Sequence, residues 1–204
     1  RLSSKWTISS LHPAVTFSLL ENNTIYKKAF FTRINSLPNT YGIFTTYLLL
    51  KPNTVKNLNQ NHYIFNLDDV WETDTDCSNF EISSLMMSMQ ANSRNEYTDV
   101  VTLLAPMRFK HCLKWEDSKV GGRGEFYKEF KEKFAEATIE IMHKHFPYIK
   151  ENIEKIYTAT PLTYRDYTAT PGGSAYGIVK DCRNPIVTLM PAQTRISNLL
   201  LAGQ

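Results

Sequence analysis

The sequence predicts an α+β fold in which a mixed or mostly antiparallel sheet is packed by helices. Three observations carry that expectation. Strand-like runs rich in β-branched and aromatic residues gather between Tyr41 and Ala105. One long amphipathic pattern, Glu125 to His145, follows them. The 204 residues are 42% hydrophobic, 12% aromatic and 21% charged, which supplies a sizeable apolar core and argues against disorder.

Taken in order, Lys5 to Leu11 reads as a short strand closed by His12-Pro13, where proline favours a helix start. Apolar residues then fall three and four apart in Ala14–Glu21 and in Thr24–Ser36, predicting two short helices with Asn22 and Asn23 as cap or turn. Leu37-Pro38-Asn39 breaks the second. Tyr41–Leu50, His62–Leu67, Phe80–Gln90 and Thr98–Ala105 read as four strands, separated by polar stretches holding Asp74, Asp76, Asn92, Ser93 and Asn95. Lys114 to Gly124 (K-W-E-D-S-K-V-G-G-R-G) reads as a hinge rather than a phosphate-cradling loop, because neither a preceding strand nor G-K-[ST] or G-x-G-x-x-G is present. In the Glu125–His145 helix, Phe126, Phe130, Phe134, Ala137 and Ile141 form the stripe expected to meet the sheet. Pro147 stops it, Ile149–Ile156 reads as a short helix or turn, and Ile156–Thr160 as a strand. The tail contains a glycine-rich run, T-P-G-G-S-A-Y-G, from Thr170 to Gly177. It ends in a short apolar strand running into glycine, I-S-N-L-L-L-A-G-Q, from Ile196 to Gln204.

Composition excludes several functions. The net charge of +3 arises from 23 basic and 20 acidic residues spread along the chain, and the lysines at 128, 131, 133 and 144 alternate with glutamates as on a solvated helix face. No nucleic-acid surface is expected. Cys77, Cys112 and Cys182 contain no C-x-x-C pair and His143 and His145 sit two apart, so neither a disulfide framework nor a metal site is expected, and a reducing, cytoplasmic setting fits. No run approaches the length of a membrane span, and the start at Arg1 in the approach to a strand suggests a piece of a longer chain.

Pro161 to Thr168 (P-L-T-Y-R-D-Y-T), the P-x-G-x-x-Y-G loop at Pro171–Gly177 and the N-L-x-L-A-G-Q strand at Asn198–Gln204 together resemble the ending of one flavoprotein family. It is the phytoene desaturase, carotenoid isomerase and retinol saturase branch of the FAD-dependent amine-oxidase superfamily. Phe146-Pro147, Thr160–Thr163 and I-S-S-L-H-P at Ile8–Pro13 fall in the order of that family, so the resemblance spans nearly the whole chain. It implies a substrate-binding domain over residues 12–157, flanked by FAD-domain fragments at 1–11 and 158–204. It also implies an FAD-dependent enzyme that oxidises, reduces or isomerises carbon–carbon double bonds of a hydrophobic polyene, such as a carotenoid, or another isoprenoid-like substrate. Because the sequence has no G-x-G-x-x-G, which lets backbone approach a pyrophosphate, the isolated chain is expected to be apo and inactive.

Within that resemblance Gly172, Gly173, Tyr176 and Gly177 are expected near the flavin. Glycines permit close backbone approach and Tyr176 can stack or donate a hydrogen bond, whereas on the residues alone the segment reads equally as a tight turn with Tyr176 as a core aromatic. Gly203 and Gln204 are implied flavin contacts and read otherwise as a strand end. No general base is assigned: Tyr164, Asp166 and Tyr167 can line a site, but no second carboxylate pairs with Asp166. Leu85, Met86, Met87 and Met89 read as core before they read as the wall of a substrate tunnel. Peripheral membrane contact would accompany a lipid substrate. The competing class is a stand-alone, non-enzymatic module that binds an apolar ligand or a protein partner through the same sheet.

Overall fold

The computed structural model describes residues 3–21, 25–72, 80–92 and 96–203. In chain order the elements are β1 (Thr7–Ser9), α1 (Pro13–Ser18), α2 (Lys28–Ser36), β2 (Gly42–Leu50), β3 (His62–Phe65), β4 (Ser84–Ala91), β5 (Thr98–Met107), α3 (Glu125–His145), α4 (Pro147–Lys150), β6 (Ile153–Ala159), α5 (Pro161–Thr168), α6 (Pro185–Thr188) and β7 (Leu199–Leu201). The fold is α+β, as the sequence predicts. The chain divides into two compact units, one of Arg1–Thr40 with Tyr164–Gln204 and one of Tyr41–Thr163.

In the Tyr41–Thr163 unit five strands form one sheet in the order β3-β4-β5-β2-β6, every neighbouring pair antiparallel. Helix α3 covers one face. Successive strand residues point to opposite faces, so register decides which side chains meet the helix. Phe44 and Leu48 of β2, Met87 of β4 and Leu103 of β5 are fully buried on that face with Phe134 and Met142 of α3. Thr46 and Thr138 join sheet to helix through a hydroxyl pair at 2.8 Å.

The opposite face follows from the same register. One row runs Tyr63–Met86–Leu104–Thr45–Ala159 and the next runs Ser88–Thr102–Tyr47–Tyr157. Tyr63 and Tyr157 are exposed, while Met86, Leu104 and Tyr47 are half-buried. This second face therefore mixes apolar and hydroxyl-bearing side chains and is partly open.

Several details of the unit differ from the sequence reading, and strand β4 is one of them, since it begins at Ser84 rather than Phe80, which stands at φ 64°. Phe126 does not join the inward stripe: it is 77% exposed, and Tyr127 takes its place, 6% exposed, with its ring 5.0 Å from Trp115 and its hydroxyl 2.8 Å from Thr160 Oγ1. A partner for both ring and hydroxyl outweighs the phase of the Phe126 spacing. Strand β6 begins at Ile153 rather than Ile156, because its pairing with β2 continues to Leu50 past a bulge. Phe109–Trp115 forms a 3-10 helix where no element was expected, and it buries Cys112 and Trp115. Pro161–Thr168, carried in the sequence as a motif without secondary structure, is helical.

In the other unit β1 and β7 pair in parallel, Thr7 opposite Leu199 and Ser9 opposite Leu201. Phe17 of α1, Ile34 of α2, Tyr26 and Leu201 form its core. Helix α1 opens as the His-Pro pair foretells. Pro13 occupies the first turn, where a missing N–H costs nothing, and the His12 Nδ1 accepts from the Ala14 N–H at 3.2 Å.

Candidate functional site

The T-P-L-T run is a helix cap. Thr160 Oγ1 accepts from the Leu162 and Thr163 N–H groups at 3.1 and 3.4 Å, and Thr163 Oγ1 accepts from the Thr160 N–H at 3.2 Å, a reciprocal box with proline in the first turn. Helix α5 ends at Thr168, whose hydroxyl donates to the Tyr164 carbonyl at 2.7 Å and accepts from the Thr170 hydroxyl at 2.8 Å. On α5, Asp166 pairs with Arg165 Nη2 at 3.0 Å and Tyr167 is 73% exposed.

The glycine-rich loop follows. Gly172 and Gly173 stand at φ 59° and 57° and Gly177 at 65°, backbone that side-chain-bearing residues adopt only at a cost. The Gly173 and Ser174 N–H groups close tight turns onto the Thr170 and Pro171 carbonyls. The Ser174 side chain is buried, and its Oγ has no hydrogen-bond partner among the described residues. Tyr176 is not a core aromatic: 63% of its surface is exposed, and its backbone N–H donates to Thr40 Oγ1 at 3.0 Å.

Beyond the loop the chain is pinned to Pro38–Thr40. The Thr40 N–H donates to the Gly177 carbonyl at 2.8 Å, Asn39 bridges Ile178 in antiparallel fashion, and the Val179 N–H donates to the Pro38 carbonyl at 2.9 Å. Asn39 is itself held: its Oδ1 lies 2.8 Å from His12 Nε2. Because Nδ1 accepts from Ala14, the proton resides on Nε2, and the ring is a neutral donor. Burial holds the His12 pKa below its ordinary value; the Asn39 bond raises it, and the Lys180 charge lowers it again.

Gly203 occupies a second position, just past the C-terminal ends of the parallel strands. It stands at φ 84°, a Cβ on it would lie 3.9 Å from the Ser10 carbonyl oxygen, and the neighbouring Ala202 N–H donates to the Ser9 carbonyl at 2.9 Å. Gln204 and Cys77 lie outside the described residues. The structure thus brings Gly172, Gly173, Tyr176 and Gly177 onto one loop and sets Gly203 beside the end of β1, three residues before His12 begins to order Asn39. His12, Asn39 and Thr40 escaped the sequence reading as site residues. Their signal was the His-Pro and Pro-Asn-Thr punctuation, which marks caps and breaks without saying what they touch.

The Leu85–Met89 cluster splits by alternation. Leu85 and Met87 are buried under α3 and Met89 packs against them, whereas Met86 belongs to the open face.

No family model matches the chain. Among curated proteins, it is 33% identical over 105 residues to the human all-trans-retinol 13,14-reductase, covering 50% of this chain and 17% of that protein. The enzymes of that name from Rattus norvegicus and Danio rerio are each 33% identical over 107 residues, 51% of this chain and 18% of theirs. These matches bear the name all-trans-retinol 13,14-reductase. The likeness falls on the retinol saturase branch of the resemblance drawn from the sequence, not on phytoene desaturase specifically, and the relatives are oxidoreductases. The matched portion spans less than a fifth of each relative's length.

Proposed function

We propose that this chain is part of an FAD-dependent oxidoreductase that acts on a carbon–carbon double bond of a hydrophobic polyene or isoprenoid-like substrate. The likeness to all-trans-retinol 13,14-reductases carries the reading.

The residues fit the cofactor in part. Three glycines in left-handed backbone make a loop whose main chain a polar group can approach closely, and the buried Ser174 Oγ beside them has no hydrogen-bond partner among the described residues. Gly172, Gly173, Tyr176, Gly177, Gly203 and Gln204 are the residues that would hold the flavin. Bound flavin supplies the redox chemistry, and the protein supplies position, electrostatics and exclusion of water. His12 and Asn39 act as positioning residues, since they order the segment to which the loop is pinned. The sequence contains no G-x-G-x-x-G, so the pyrophosphate cradle is not contributed by these residues and the isolated chain should hold FAD weakly.

The partly open sheet face suits the substrate. Met86 and Leu104 lie beside Tyr63 and Tyr47 on it, an apolar strip among hydroxyl-bearing residues on which methionine adapts to an extended ligand. No described helix is long and apolar enough to cross a membrane, and peripheral membrane contact for collecting a lipid substrate belongs to the same proposal.

The test compares this chain with a longer protein that contains it, both purified under mild conditions. A flavin absorbance band in the longer protein, weakened by Gly177→Ala, is expected. A longer protein without flavin, even after incubation with FAD, would overturn the reading.

A further inference from the structure

One loop of the unit that carries the glycine-rich run is built inside out. Residues 180–190 read K-D-C-R-N-P-I-V-T-L-M, and hydrogen bonds close the segment on itself. Asp181 Oδ1 accepts from the Arg183 and Asn184 N–H groups at 2.8 and 3.2 Å, and the Asp181 N–H donates to Thr188 Oγ1 at 3.1 Å. Arg33 of α2 ties the loop to the body of the unit, its Nη2 donating to the Val187 and Leu189 carbonyls at 2.8 and 3.4 Å.

The apolar side chains of this held loop face outward. Ile186 is 79% exposed, Val187 48% and Leu189 59%, while Thr188, the polar residue among them, is 4% exposed. Every residue from Asp181 to Val187 is exposed, so the segment protrudes. Three apolar side chains within four residues, held in water by a fixed backbone, forgo the free energy that burial would return. Lys180 and Arg183 flank them, and the segment's one carboxylate, Asp181, is engaged by backbone N–H groups.

We propose that this loop docks on an anionic membrane surface, with Ile186, Val187 and Leu189 entering the headgroup boundary and Lys180 and Arg183 meeting lipid phosphates. A tip of three side chains falls well short of the area that a stable protein interface takes from each partner, about 800 Å2. A lipid surface asks for less: a few apolar side chains at headgroup depth with basic residues beside them. The proposal gives a place to the peripheral membrane contact of the function proposed above, and it rests on that reading for what docking serves. Vesicle binding is read without flavin or substrate, so the two stand or fall separately.

Co-sedimentation with vesicles tests it, on a longer protein that contains this chain, using phosphatidylcholine alone and phosphatidylcholine mixed with phosphatidylserine. Binding should be stronger to the mixed vesicles. Ile186→Ser combined with Leu189→Ser should weaken it about tenfold, through the lost apolar transfer. Lys180→Gln and Arg183→Gln should each weaken it about fivefold, and only on the mixed vesicles. Leu189→Trp keeps the tip apolar, so it should bind as wild type does and add tryptophan fluorescence that brominated lipid quenches. Equal binding to both vesicles, binding undiminished by the paired serines, or an added indole that brominated lipid leaves unquenched would each overturn the proposal. So would a folded longer protein that binds neither vesicle, the result expected if another part of that protein covers the tip. Should the paired serines misfold, the quenching of Leu189→Trp decides alone.

Discussion

His12 donates from Nε2 to Asn39 Oδ1 at 2.8 Å, and this bond joins the segment after β1 to the segment on which the glycine-rich loop is pinned. Its pKa is held below the ordinary 6.5, chiefly by burial. As pH falls through 6.5 the unfolded chain takes up the proton first, so stability is full above that pH and declines below it until the folded form is protonated too. Urea midpoints taken at about pH 7.5 and about pH 5.5 should therefore differ, with the acid value lower, and His12→Gln should shrink the difference. His12→Ala should cost about 1–3 kcal/mol, because it leaves Asn39 and the start of α1 without their partner.

Thr46 and Thr138 make an asymmetric pair. Thr138 donates to the Ala135 carbonyl at 2.8 Å, so it is Thr46 that donates to Thr138 Oγ1. Thr138→Val should strand the buried Thr46 proton and cost about 1–3 kcal/mol, whereas Thr46→Val should cost about 1 kcal/mol or less. Denaturant unfolding of the two single variants checks the order.

Thr102 behaves differently, since its Oγ1 is buried with no hydrogen-bond partner among the described residues. Replacing it by valine removes a desolvated hydroxyl at constant shape. Thr102→Val should be neutral or stabilising by up to about 1 kcal/mol, and an unfolding midpoint well below wild type would contradict this.

Gly177 holds a φ of 65° where the loop meets Thr40. Gly177→Ala should destabilise by about 1–2 kcal/mol, and Gly177→Asn by less, because a short amide side chain tolerates left-handed backbone. Thermal unfolding of the pair separates backbone strain from lost side-chain space.

Met86 and Met87 are neighbours with opposite surroundings. Met87 is fully buried beneath α3, so Met87→Ala should cost about 2–5 kcal/mol. Met86, half-buried on the other face, should tolerate alanine at under about 1 kcal/mol. On the proposed function, Met86→Ala should change the affinity for an apolar polyene ligand while Met87→Ala changes only stability. Ligand titration beside chemical unfolding reads both.

What the sequence determined by itself was local. Helix α3 was legible over its full span, Glu125 to His145, because a repeat near 3.6 with charges between is written in consecutive residues. The runs that became β2 and β5 were legible as strands from their β-branched and aromatic content, and the glycine-rich run as a tight turn, whose positive φ angles the structure supplies. The tertiary structure decided what these pieces meet. It put Tyr127 rather than Phe126 inward, divided Met86 from Met87, paired β1 with β7 from opposite ends of the chain, and made a reciprocal helix cap of Thr160 and Thr163. It also joined His12 to Asn39, two residues whose neighbours in sequence say nothing of each other. Period and propensity are properties of adjacent residues, whereas register, facing and a hydrogen bond across 27 positions are set by which distant surfaces bury each other best.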